Sequence, residues 1–198
     1  MTRFEKALAL GLAFCIAAAA WQIPFSRNCE EIRGDTLRLH IVANSDSEQD
    51  QAIKLAVRDA ILENSPELLC GAQTRDEAIE LIGVNIPEIE NIAKQVLEQS
   101  GFGYGARAYI AEMYFEQRSY DNITLPAGYY TALRIELGAA DGQNWWCVVY
   151  PSLCIPASSD SDDAFDQYSE YEQEILQGAE DEYEYRFLLE EWLQSIFK

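Results

Sequence analysis

Thr36–Leu62 reads TLRLHIVANSDSEQDQAIKLAVRDAIL, and its hydrophobic period changes in the middle. Over Thr36–Ala43 the residues alternate: Leu37, Leu39 and Ile41 fall on one side, Arg38, His40 and Val42 on the other. That is the pattern of a strand with one buried face. Asn44-Ser45-Asp46-Ser47 then turns the chain, and Ser45 with Glu48, or Ser47 with Asp50, makes a capping box. Ile53, Val57, Ala60 and Ile61 recur at helical spacing, which predicts a helix from about Ser47 to Glu63, ended by Asn64-Ser65-Pro66. A strand handing over to an amphipathic helix commits the chain to a mixed fold.

Downstream, Thr74 with Glu77 caps a shorter helix that reaches Gly83. Asn85, Pro87 and Glu88 read as a second start, for a helix carrying Ile89, Ile92, Ala93, Val96 and Leu97 inward until Ser100-Gly101. The GFGYG segment that follows resembles a phosphate loop only in composition, because no strand precedes it and no helix follows. From Ala106 the period is two, giving strands over Ala106–Gln117, Tyr129–Leu137 and Asn144–Tyr150. Short connections favour an antiparallel meander. The expected fold is α+β, a mostly antiparallel sheet with helices packed on one face, in the order β-α-α-α-β-β-β.

Both ends differ from this centre. Arg3 and Lys6 precede a run from Ala7 to Phe25 with no charged side chain. Such a run is a cleaved secretory signal, with Ala17–Ala20 as the small-residue site, or an uncleaved membrane anchor. Either reading places residues beyond about 26 outside the membrane. At the other end, residues 157–198 hold 13 acidic and two basic side chains, a net −11 of the chain's −20. The expected organisation is 1–26 signal or anchor, 27–156 α+β domain and 157–198 acidic tail. The tail's first part is too poor in apolar residues to order itself. Tyr183, Phe187, Leu188, Trp192 and Ile196 predict an amphipathic helix near the end, for a groove on its own domain or on a partner.

The charge excludes nucleic acid as a partner and excludes electrostatic docking on anionic lipid, which leaves the N-terminal segment as the membrane contact. His40 is the only histidine and there is no CxxC, so no metal or cofactor is expected. Cys147 and Cys154 could close a small disulfide loop in an oxidising compartment, or remain buried thiols. A hydrolase built on His40 with Ser45 or Cys147 is conceivable, but the serines serve better as caps and no third member is evident. Trp145 and Trp146, adjacent on a strand, must point to opposite faces. One can enter the core; the other, beside Gln143 and Asn144, suits a partner or a sugar platform.

Three stretches together carry a family resemblance: RLHIVANSDSEQDQAIKLAVRDAIL (Arg38–Leu62), LPAGYYTALRIELG (Leu125–Gly138) and GQNWWCVVYPSLC (Gly142–Cys154). From Leu37 to Ile155 the chain resembles the stage II sporulation protein R family of endospore-forming bacteria. The resemblance implies a signal made in the forespore and exported into the space between the two membranes. There it activates a membrane-embedded aspartic protease, which processes a mother-cell sigma factor precursor. It implies a ligand rather than an enzyme, with no small-molecule substrate. His40, Asn44, Asp46, Gln143, Asn144, Trp145 and Trp146 are the residues expected to meet the partner. A cell-wall-binding module using the exposed aromatics is the rival reading. Residues 157–198 lie outside the resemblance.

Overall fold

The computed structural model describes residues 2–120, 123–151, 168–177 and 184–196. In chain order the elements are α1 (Arg3–Asp35), β1 (Leu37–Val42), α2 (Glu48–Leu68), α3 (Arg75–Gln99), β2 (Ala106–Phe115), β3 (Arg118–Tyr120), β4 (Ile123–Leu125), β5 (Gly128–Leu137), β6 (Asn144–Tyr150), α4 (Glu170–Gln177) and α5 (Glu184–Ile196). The fold is α+β with a mostly antiparallel sheet, as the sequence predicts. Cys154 and the acidic stretch Ala157–Asp166, expected to lack regular structure, lie outside the described residues.

The caps form where the sequence places them. Ser47 Oγ accepts the Asp50 N–H at 3.1 Å and Thr74 Oγ1 accepts the Glu77 N–H at 3.2 Å. Two helix ends do not. α2 runs through Pro66 to Leu68, past the expected stop. Pro66 has no N–H for the Leu62 carbonyl, and Ser65 Oγ donates to that oxygen instead at 2.7 Å. The two helices expected around Gly83 are a single α3 with Pro87 inside. Asn85 is not a cap; its side-chain amide donates to the Leu68 carbonyl at 3.3 Å and ties α3 to the end of α2.

The chain divides into two compact units, Met1–Arg33 with Glu116–Gly128 and Glu170–Lys198, and Gly34–Phe115 with Tyr129–Ser169. The residue-26 boundary expected from sequence falls inside α1.

The second unit is built on a four-stranded sheet of order β2-β5-β1-β6. The meander read from short connections does not form, because β1 inserts between β5 and β6. It runs parallel to β5, with Arg38 opposite Ala132 and His40 opposite Arg134. It runs antiparallel to β6, with His40 opposite Trp146 and Ile41 opposite Trp145. A parallel neighbour requires a long crossover, and α2 and α3 provide it. Leu37, Leu39 and Ile41 join Leu133, Ile135, Leu137, Cys147 and Val149 in one core with Ile53, Val57 and Ile61 of α2 and Ile82, Ile89, Ala93 and Leu97 of α3.

β1 is buried on both faces rather than one. Arg38 is fully buried and His40 is 3% exposed. Their face is closed by Phe115, Tyr130 and Ala132, with Met113 and Trp146 packed against them. The Arg38 guanidinium lies 4.4 Å from the Phe115 ring centre and 5.0 Å from that of Tyr130, and its Nε donates to the Cys147 carbonyl at 3.0 Å. Aromatic faces and a backbone oxygen thus take the place of water around a charge whose burial would otherwise be prohibitive.

In the first unit β3 and β4 form a separate antiparallel hairpin, Ser119 opposite Thr124. Phe25, Cys29 and Ile32 of α1, Ile123 and Leu125 of β4, Ile175 and Leu176 of α4 and Phe187 of α5 are all buried. α1 is long and apolar enough to cross a membrane.

Candidate partner-binding site

The two stretches expected to meet a partner come together at one end of the sheet. As β1 leaves the sheet it enters the Asn44–Ser47 turn, and the chain returns through Gly138–Gln143 into β6. The two loops are laced by backbone bonds: Ala43 N–H to the Gln143 carbonyl, Gly142 N–H to the Ala43 carbonyl at 2.9 Å, and Asp141 N–H to the Asn44 carbonyl. Gly142 permits this approach, since a Cβ there would lie 2.3 Å from the Ser45 carbonyl oxygen. Gly138 has φ +57°, and its missing Cβ leaves room for the Asn44 side chain.

Side chains complete the lacing. Asn44 accepts the Ala139 N–H and donates to Asp50 Oδ2, both at 2.9 Å. Asp46 accepts the Gln143 N–H at 2.8 Å. Lys54, almost fully buried, donates to the Gln143 carbonyl at 3.0 Å and to Gln51 at 2.6 Å. Burial lowers its ammonium pKa, and Asp46 opposes that shift.

Asp50 is the hub of this end. It accepts the Ser45 and Tyr104 hydroxyls as well as the Asn44 amide. These bonds, Ser45 first, hold its carboxyl down to about 2. Tyr104, in the glycine-rich GFGYG loop, is pushed well above its ordinary value by burial and by that carboxylate. Sequence reading treated Asp50 as a capping residue and Tyr104 as loop. No local signal pairs them, because 54 residues separate them.

The tryptophans divide between the faces. Trp145 packs on the helix-side core beneath Arg58, whose guanidinium is 4.4 Å from its ring centre. Trp146 lies on the opposite face, stacked on His40 with ring centres 3.9 Å apart and planes 2° apart, and Phe115 meets it edge-on at 4.8 Å. Both indoles are half-buried, whereas Asp46, Gln143 and Asn144 are exposed. His40 Nε2 bonds Asn144 Oδ1 at 2.8 Å, and burial lowers its pKa to about 4. The imidazole is therefore neutral at neutral pH.

The suggested hydrolase pairs are not assembled. Cys147 sits opposite Leu39 and faces the helix-side core, while His40 faces the aromatic side. Ser45 gives its hydroxyl to Asp50. Among the described residues no group of three or more metal-ligating side chains occurs. Cys154, the expected disulfide partner of Cys147, lies outside the described residues.

The family model described as Stage II sporulation protein R matches residues 33–160. The Stage II sporulation protein R of Bacillus subtilis (strain 168) is 32% identical over 186 residues, covering 84% of this chain and 83% of that protein. No solved structure matches significantly. The match contains β1, the Asn44–Ser47 turn, the Gly138–Gln143 loop and β6, the parts from which the site is built. The chain belongs to the stage II sporulation protein R family.

Proposed function

We propose that this sporulation signalling protein acts outside the membrane of the cell that makes it, as an activating ligand for a membrane-embedded aspartic protease that processes a sigma factor precursor. The observation that carries this reading is the convergence of two recognisable loops into one laced, solvent-facing end, where among the described residues the suggested nucleophiles and His40 are not brought together. Asp46, Gln143 and Asn144 are exposed there, while the groups beneath them are held by backbone bonds and by Asp50. A surface fixed in advance loses little entropy on binding. It activates a target by preferring the target's active arrangement.

The long apolar stretch of α1 supports delivery through or attachment to the membrane. Export into an oxidising space fits a Cys147–Cys154 disulfide. Cys15, Cys29 and Cys70 are the free thiols among the described residues, and Cys147 is not one of them. A wall-binding platform is less well supported, because His40 already covers one face of Trp146.

Reconstitution of the exported domain with the protease and the sigma precursor tests the proposal. Gln143 contributes to the lacing only through its backbone, so Gln143→Arg leaves the fold intact and is expected to slow precursor cleavage at least tenfold, about 1.4 kcal/mol. Trp146→Phe keeps the stack and is expected to slow it less. Undiminished cleavage with both variants would remove this surface from the contact. Cleavage of the precursor by the domain alone would remove the ligand reading.

A further inference from the structure

β2 and β5 bring two arginines to the sheet face turned away from α2 and α3. At its buried end that face holds Phe115, Tyr130 and Ala132. Toward the Asn44–Ser47 turn, the strand alternation places Arg107 and Tyr109 of β2 and Arg134 and Glu136 of β5 on the same side. Arg134 lies opposite His40 of β1, which lies opposite Trp146 of β6. The band therefore crosses all four strands and ends beside Asn144. Here the cover is thin: Arg107 is exposed, and Tyr109, Arg134 and Glu136 are half-buried.

These side chains are held in place before any partner arrives. Glu136 Oε1 accepts Arg134 Nε at 2.9 Å and the Tyr109 hydroxyl at 2.8 Å. The Tyr109 bond, together with Arg134, keeps the Glu136 carboxyl below its ordinary range, so it stays ionised. The Arg107 guanidinium lies 5.1 Å from the Tyr109 ring centre. Glu136 occupies only the Nε side of Arg134. Among the described residues neither Arg134 Nη nitrogen has a hydrogen-bond partner, and the side chain is 26% exposed. A planar guanidinium fixed at one edge and open at the other offers two parallel donors, the fork that a carboxylate fills. The chain carries −20 as a whole, yet this band sets Arg107 and Arg134 against Glu136 alone. Charges beyond about 8 Å are largely screened at physiological salt, so the local excess decides what binds.

We propose that this band recognises a carboxylate, with Arg134 gripping an acidic side chain of the partner protein and Arg107 supporting it from the edge strand. This rests on the reading above that the chain is a ligand for a membrane protein. That protein must then present an aspartate or glutamate on an exposed segment. Neighbouring strands lie about 4.8 Å apart, so the band spans about 14 Å, the reach of about four extended residues. One short segment can thus run from the Asn144 loop to Arg107.

Binding of the full chain to the immobilised full-length protease in detergent, followed as sodium chloride is raised, tests this. Arg134→Gln is expected to weaken binding about tenfold or more and to flatten its salt dependence, because a charge-assisted pair is lost. Arg134→Lys keeps the charge but not the fork, and is expected to fall between Arg134→Gln and wild type. Arg107→Gln is expected to weaken binding about threefold, as an exposed charge does. Arg134→Glu is expected to be rescued by changing one exposed aspartate or glutamate of the protease to arginine, a readout that lost structure would not give. Unaltered affinity and salt dependence in Arg134→Gln would overturn the proposal. So would a loss in Arg134→Glu that no charge swap in the protease restores. Inorganic phosphate that binds the chain alone at micromolar concentration, and not the Arg134→Gln chain, would assign the arginines to a free anion and likewise overturn it. Slower cleavage with Gln143→Arg beside wild-type binding by Arg134→Gln would remove the carboxylate contact alone. A wild-type chain that does not bind the protease would overturn the activation reading and this contact with it.

Discussion

On one face of the sheet, Leu37, Leu39 and Ile41 of β1 are buried against α2 and α3; on the other, Arg38 and His40 of the same strand are buried as deeply beneath aromatic rings. On the helix face β1 needs only apolar area, since Leu37, Leu39 and Ile41 carry no polar side-chain atom. The aromatic face must accommodate a guanidinium and an imidazole; Phe115, Tyr130, Trp146, a backbone carbonyl and Asn144 surround them, and His40 Nδ1 stays buried with no hydrogen-bond partner among the described residues. Residues able to form such a face are few, so it tolerates less change. It also opens at one end into Trp146 and Asn144, the surface proposed to meet the partner.

The comparison breaks most sharply at Phe115, which touches Arg38, Tyr130 and Trp146 together. Phe115→Ala is expected to cost about 3–5 kcal/mol in urea unfolding. On the helix face, Leu39→Val should cost only about 1 kcal/mol. Equal losses would mean that the faces do not differ in tolerance.

Acid should act next, and mainly through His40. Its pKa falls from 6.5 to about 4 on folding, so below 6.5 the unfolded chain takes up a proton that the folded chain refuses. Stability is therefore complete above 6.5 and falls as the pH drops toward 4, by roughly 2 kcal/mol at about pH 5. His40→Gln should flatten that slope; an unchanged slope would place the titration elsewhere. Asp50 works lower. Its pKa falls from 3.8 to about 2, so its contribution holds above about 4 and is lost between about 4 and 2.

Tyr104→Phe removes one charge-assisted bond to Asp50 and should cost about 1.5–3 kcal/mol if the site stays dry, less if water replaces the hydroxyl. Hydrogen exchange at Ala43 and Gly142 would then rise, because the loops they lace rest on that hub. Smallest is Arg58→Ala, which uncovers Trp145 and is expected to cost about 0.5–1 kcal/mol by thermal unfolding.

Much of the site was legible. The alternation in Thr36–Ala43, the Ser47 and Thr74 caps and the divergence of Trp145 and Trp146 all follow from spacing and hydrogen-bonding chemistry between near neighbours. The residues named for a partner do gather at one end. Their roles were less legible: Asn44 and Asp46 lace the loops, His40 is a stacked, neutral core group, and Trp145 is tied to Arg58. The Asp50–Tyr104 pairing was missed, although Asp50 was named as a capping residue, because a hydroxyl–carboxylate pair leaves no periodic trace. Pro66 misled because the Ser65 hydroxyl supplies the donor that the ring lacks, and Pro87 because α3 runs on through it.

The sequence alone pointed to β1, α2, β2, β5, β6 and α5 and to the family the chain belongs to, because these depend on short-range periodicity and on whole motifs; it did not show β3, β4 or α4, and it split α3 in two. The tertiary structure decided that β1 lies between β5 and β6, that Arg38 is buried under aromatic rings, and that α5 contacts α1 from Trp21 to Arg33. Period tells a strand which face to hide. It does not name the strand beside it, and only long-range packing settles which partners make burying a charge tolerable.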